Sequence, residues 1–292
     1  MVTILVYLQY KSYSAFNLLL IKEELIMKTV HFSRILILLI VGSTLFFSCE
    51  KQESNALLQE NGSISALKGG GPGGYALYFD GDGDYVMVPD AASLDLTVAF
   101  TVVAWVNIES YVEWASIVTK GYVDGDNNYT IHQSGPLGGS DFGRLRFTCD
   151  RPSLPTSPYL ESTTQIPLNE WHFVAATWDG ATMKFYFDGE LDGSGAFVGP
   201  LLANDEALYI GADYPGAVEY WQGMIDEVRI WNEALKQTHI QAAMNGSATP
   251  LARALVGYWR FDEGSGTVAG DRSKYKNDGV LVGDASWVDL TP

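Results

Sequence analysis

Three stretches of the chain space oxygen-bearing side chains at alternate positions, the arrangement with which a loop can hold a hard cation. Asp271-x-Ser273-x-Tyr275-x-Asn277 runs on into Asp278 and Gly279, and Asp80-x-Asp82-x-Asp84 is interleaved with glycine. Asp124-x-Asp126-x-Asn128 has similar spacing but lacks a turn glycine and a distal glutamate. Calcium accepts roughly six to eight such oxygens in flexible geometry, so Ca2+ in a structural role is the ion this chemistry suits best. Aspartate and glycine also build ordinary turns, and each stretch is compatible with that use alone. The first stretch is the preferred site and Asp80, Asp82 and Asp84 are the second.

Support for nucleophilic or acid–base catalysis is thin. No Ser/His/Asp order or Cys/His pair stands out. His172 lies in an apolar run, Trp171-His172-Phe173-Val174, where a histidine is more often packed and hydrogen-bonded than catalytic. His132 has no evident partner in the sequence. Recognition has more material. Tyr111, Trp114, Tyr122, Tyr129, Tyr159 and Tyr214 fall in or near loops, and exposed aromatic rings stack on the apolar faces of sugars.

These side chains need a scaffold, and the composition points to strands. The chain has 292 residues with 30 Gly, 16 Tyr, 13 Phe and 8 Trp, which suits short strands and tight turns around one large core. Phe100 to Val106 is apolar on both faces and predicts a central strand. Trp171–Trp178, Lys184–Phe187, Leu208–Gly211 and Met224–Trp231 predict further strands, with Asp188-Gly189 as a hairpin turn. Trp105, Trp171 and Trp259 are core residues by pattern. One short helix is expected after the Ile225–Ile230 strand, over Lys236 to Met244.

Two segments carry a family resemblance. Ile225-Asp226-Glu227-Val228-Arg229-Ile230-Trp231-Asn232-Glu233-Ala234-Leu235 and Glu170-Trp171-His172-Phe173-Val174-Ala175-Ala176-Thr177-Trp178-Asp179-Gly180 resemble the signatures of laminin-G-like, concanavalin A-like domains. The opening Leu77-Tyr78-Phe79-Asp80-Gly81 hairpin is similar too. Leu255-Val256-Gly257-Tyr258-Trp259-Arg260-Phe261-Asp262 resembles a segment that many relatives carry ahead of that hairpin. The resemblance implies an all-β, antiparallel β-sandwich jelly roll closed by its own tail, residues 250–292. Glycosidases of this fold set two carboxylates on one strand in a Glu-x-Asp-x-x-Glu run, which this chain lacks. The resemblance also implies that a structural calcium can link the terminal regions, with Asp226 meeting the Asp271–Asp278 loop. By alternation Asp226 falls with Val228 and Ile230 on the buried face, and a buried carboxylate must be paired, hydrogen-bonded or metal-bound. A carboxylate that accepts backbone N–H groups at a sheet corner fits the same position.

The N-terminal part reads as an export device. Residues 1–26 are a mis-assigned start or an extended leader, and 27–48 resemble a signal peptide with a basic start and the apolar run Ile35–Phe47. Leu45-Phe46-Phe47-Ser48-Cys49 resembles a bacterial lipobox, which implies acylation of Cys49 and anchorage to the bacterial outer membrane or cell surface. Residues 49–74 read as a Gly-rich tether and 75–292 as the domain. The formal net charge is −17, and −19 once residues 1–48, with four basic and two acidic residues, are set aside. Such a surface repels nucleic acid and anionic lipid, so membrane contact is expected through the lipid anchor only. The function expected is non-catalytic binding of extracellular glycan or protein. A glycoside hydrolase or lyase of a related family and a structural, adhesive surface protein are the alternatives.

Overall fold

The alternation of apolar and polar residues that starts at Tyr75 resolves into short strands joined by turns. A computed structural model describes residues 72–121, 128–135, 142–149, 158–214, 216, 219–246 and 251–291. Cys49, the expected tether up to residue 71, Tyr122 and Asp124–Asp126 lie outside these residues. In chain order the strands are β1 (Tyr75–Asp80), β2 (Tyr85–Val88), β3 (Phe100–Ile108), β4 (Ser116–Lys120), β5 (Tyr129–Gln133), β6 (Leu145–Thr148), β7 (Tyr159–Glu161) and β8 (Trp171–Trp178). They continue as β9 (Thr182–Phe187), β10 (Glu190–Ala196), β11 (Leu208–Ile210), β12 (Gln222–Trp231), β13 (Leu255–Trp259), β14 (Val268–Ala269), β15 (Gly279–Val282) and β16 (Ser286–Asp289). One α-helix, α1 (Gln237–Met244), follows β12. Lys236, expected inside it, is the extended residue at its N-terminal boundary.

Two antiparallel sheets stack as a sandwich. The first has the order β10-β9-β8-β3-β12-β1-β16, with β13 also on β12. The second runs β14-β15-β2-β11-β4-β5-β6-β7. This is the all-β jelly-roll architecture that the sequence leads one to expect. The inner faces enclose one core, to which β3 gives Phe100, Val102, Ala104, Val106 and Ile108. Its other face gives Val103 and Trp105 to a second cluster beneath Ile240 and Ala243 of α1. A strand apolar on both faces is thus buried on both, by the opposite sheet and by the helix. Each large side chain so buried contributes about 1.5–3 kcal/mol. The Asp188-Gly189 turn has positive φ at both residues, 47° and 79°, as a two-residue hairpin connection requires.

The tail is divided between the sheets. β13 and β16 join the first through β12 and β1, and β15 joins the second through β2. Trp259 and Phe261 from this tail are wholly buried in the main core.

Candidate functional site

On β5 and β6 alternate residues point inward, with Ile131, Leu145 and Phe147 in the core. Their neighbours Thr130, His132, Arg146 and Thr148 therefore share the outer face of the second sheet. Strand register places His132 opposite Arg146, Arg146 opposite Glu161, and Thr148 opposite Tyr159. The Arg146 guanidinium donates to Glu161 Oε1 through Nε at 3.0 Å and Nη2 at 2.5 Å. It also lies 4.1 Å from the ring centre of Tyr159 and 4.9 Å from that of Trp114. A planar cation between two aromatic rings gains cation–π attraction without losing its ion pair.

Trp114 reaches this position at a conformational cost. Its φ is 62°, the left-handed region that bulky residues avoid. Gly135 makes room for the ring, since a Cβ there would stand 2.5 Å from the indole. His132 packs on it at 5.4 Å between ring centres. Burial lowers the His132 pKa to about 4, so the imidazole is neutral at physiological pH. Gln133 O lies 3.0 Å from Nδ1 and can only accept, so Nδ1 carries the proton and Nε2 accepts from the Thr148 hydroxyl at 3.0 Å.

Beyond Trp114 the same face becomes acidic. Ser116 Oγ contacts both Trp114 O, at 3.3 Å, and Asp213 Oδ1, at 3.4 Å. Thr119 Oγ1 donates to Asp213 Oδ1 at 3.1 Å. Burial, then the Asp213 charge and a hydrogen bond to it, raise the Glu219 pKa to about 7. Aromatic, cationic, hydroxyl and carboxyl groups thus meet on one sheet face. Such a surface can stack on a sugar ring and exchange hydrogen bonds with its hydroxyls.

The expected binding residues separate in the structure. Trp114 and Tyr159 come together through Arg146, and Tyr159 is 56% exposed. Tyr214 is half-buried next to Asp213. Tyr129 corrects the sequence reading: it starts β5 facing inward, wholly buried against Phe100, and its hydroxyl donates to Leu94 O at 3.2 Å. Tyr111 packs on the core and on Phe142, with its hydroxyl on Ile166 O. Tyr129 is closed to a ligand, whereas Tyr111 is only partly buried. Arg146, Glu161, Asp213 and Glu219 were missed. The alternation Leu145-Arg146-Phe147-Thr148 would have exposed Arg146 as an outward strand residue.

The acidic stretches also differ from expectation. Asp271 uses both oxygens as acceptors, Oδ1 from Tyr258 N at 2.9 Å and Ser273 N at 2.7 Å, Oδ2 from Ser273 Oγ at 2.6 Å and Asn277 N at 2.8 Å. Asp271 N donates to Asp278 Oδ1, and Asn277 Nδ2 to Ser93 Oγ and Val256 O. Asp271 thus directs its oxygens to the Ser273 and Asn277 amides, the Ser273 hydroxyl and the Tyr258 amide. Among the described residues no hydrogen bond joins Asp226 to this loop. A bulge at Asp226, with Glu227 at φ 52°, breaks the assumed alternation. The charged groups that act on Asp226 are Glu227, Asp262 and Arg260, and burial raises its pKa to about 9. Its Oδ1 accepts from Glu227 N at 2.8 Å, while buried Oδ2 has no partner. In the second stretch Asp80 and Asp84 do converge, but the third carboxylate is Asp284, not the exposed Asp82. The three offer oxygens within 4.8 Å of one another, of the carboxylate type that calcium prefers, with Asp84 also accepting from Asp284 N at 2.7 Å and Asp80 N at 3.2 Å.

Residues 80–241 match the Laminin_G_3 model of the concanavalin A-like lectin/glucanases superfamily. The chain belongs to this superfamily. A Bacteroides ovatus protein of known structure, provisionally described as carbohydrate binding, superposes with a TM-score of 0.61 at 19% identity, over 76% of this chain and 61% of that one. Among curated proteins, mouse pappalysin-1 is 26% identical over 63% of the chain and human pappalysin-1 28% identical over 68%. The chain spans only 12–13% of the length of those two relatives.

Proposed function

We propose that this superfamily member is a surface-anchored, non-catalytic module that binds extracellular glycan through Trp114, Arg146 and Tyr159. The observation that carries the reading is the strained Trp114 backbone. A left-handed conformation costs on the order of 1–3 kcal/mol and persists where its surroundings impose it, often at binding sites. Here it brings an indole beside a cation and an exposed tyrosine. Membership of a superfamily that includes lectins supports the same reading.

Binding of the full chain to an array of bacterial and host glycans tests it. Wild type should bind at least one glycan, and Trp114→Ala and Tyr159→Ala should each weaken that binding roughly tenfold, the worth of one or two stacking contacts. Array binding unchanged in both variants, or none in wild type, overturns it; a protein ligand is then the reading to pursue. A hydrolase is favoured by one observation, the Glu219 carboxyl beside Asp213 with its pKa near neutrality. Release of reducing ends from a polysaccharide, lost in Glu219→Gln, would establish that alternative.

The proposal includes anchorage through Cys49 and a structural calcium. For the ion, Asp80, Asp84 and Asp284 would be the ligands, pinning the β1–β2 turn to the β15–β16 turn.

A further inference from the structure

Away from the Trp114 surface, the loop that leads into β3 and the tail that follows β14 enclose a groove of about 670 Å3. That volume lies in the range of small-molecule sites, roughly 300–1,000 Å3. Its lining includes Asp95, Thr97, Asn232, Tyr275 and Asn277, with Val256 from β13. We propose that this groove is a second binding site, which takes one uncharged saccharide unit with Tyr275 against the ring and Asp95 and Asn232 on its hydroxyls.

The chemistry of the walls supports this assignment. Tyr275 is 41% exposed at the lip, and the Lys274 ammonium lies 4.9 Å from its ring centre. An aromatic ring at the edge of a polar groove matches a sugar, which has an apolar C–H face and a rim of hydroxyls. Asp95 is held from behind. Its Oδ1 lies 3.2 Å from Nζ of Lys120, a wholly buried lysine. That ammonium is also bound by Asp90 Oδ1 at 2.9 Å, Asn204 Oδ1 at 2.8 Å, Asn204 O at 3.1 Å and Glu206 O at 2.6 Å. A carboxylate fixed in this way needs no reorganisation to accept hydroxyl protons, which lowers the entropic cost of binding. Lys120 is therefore a positioning residue for the groove.

Charge narrows the ligand class. Around Lys120 two carboxylates face one ammonium, and Lys274, the cation at the lip, is engaged by the Tyr275 ring and Arg253 O, so a uronate or sulfated sugar seated against Asp95 would meet negative charge there. Asn277 closes the arrangement by bonding Ser93 Oγ and Val256 O at 3.0 Å each, which ties the loop to the tail. The groove shares no residue with the Trp114 surface, so either site can fail alone.

Saturation-transfer NMR and calorimetry on the full chain, with glucose, galactose, mannose, N-acetylglucosamine, glucuronate and tetramethylammonium as probes, would test the proposal. At least one of the four neutral sugars should bind, roughly tenfold more weakly in Tyr275→Ala and in the isosteric Asp95→Asn, and unchanged in Trp114→Ala. Tyr275→Phe should keep the affinity. The proposal is overturned if none of the four sugars binds, if Tyr275→Ala binds them as wild type does, or if glucuronate binds as tightly. Binding by tetramethylammonium alone would make the groove a cation site and would also refute it.

Discussion

Asp226 carries the strongest electrostatic prediction at the residue scale. Its pKa is raised from 3.8 to about 9, so the folded protein holds a proton there that the unfolded chain releases. The group's stabilising contribution is complete below about pH 3.8 and is lost as the pH rises toward 9, by roughly a tenfold change in folding constant per pH unit. Asp226→Asn keeps the acceptor for Glu227 N and removes the ionisation. We expect it to raise the melting temperature at pH 7 and flatten the loss of stability between pH 5 and 9. A variant that melts below wild type at pH 8 would contradict this assignment. Burial of this position was readable in the sequence. The bulge was not, because it arises where β1 and β13 both pair with β12 and local alternation carries no trace of it.

Strands were more readable than the contacts between them. Trp171–Trp178 falls where its apolar run sets it, and β3 shows its two buried faces in its composition. The site depends instead on register across β5, β6 and β7, and on a carboxylate from residue 284 meeting residues 80 and 84, information that local spacing does not contain. Two tests belong to these elements. Trp259→Ala should cost about 3–5 kcal/mol, because the indole is wholly buried on β13 and donates to Asn277 O at 3.0 Å. A loss under about 1 kcal/mol in urea denaturation would show that the tail is not integral to the core. Calcium at a hundredfold excess over its Kd should stabilise by about 2.7 kcal/mol, seen as a melting temperature several degrees higher than in EDTA. Asp84→Asn should abolish that rise, and a variant that still responds would remove Asp80, Asp84 and Asp284 as the ligands.

For the whole molecule, anchorage is the property to measure. Wild type expressed in a Gram-negative host should take up labelled palmitate and fractionate with membranes, and Cys49→Ala should do neither. Unlabelled wild type, or a variant that stays with membranes, would reject the anchor. The first and last strands also settle how the domain can be joined to other sequence. β1 lies between β12 and β16, and Leu290 N donates to Gly74 O at 2.8 Å, so entry and exit stand side by side. A unit with adjacent entrance and exit can be spliced into a loop of a host protein without pulling that host apart. It can also be circularly permuted, its ends closed by a short glycine linker and the chain reopened at an exposed turn. The same pairing makes the domain a portable cassette, able to move between architectures while its binding surface travels intact.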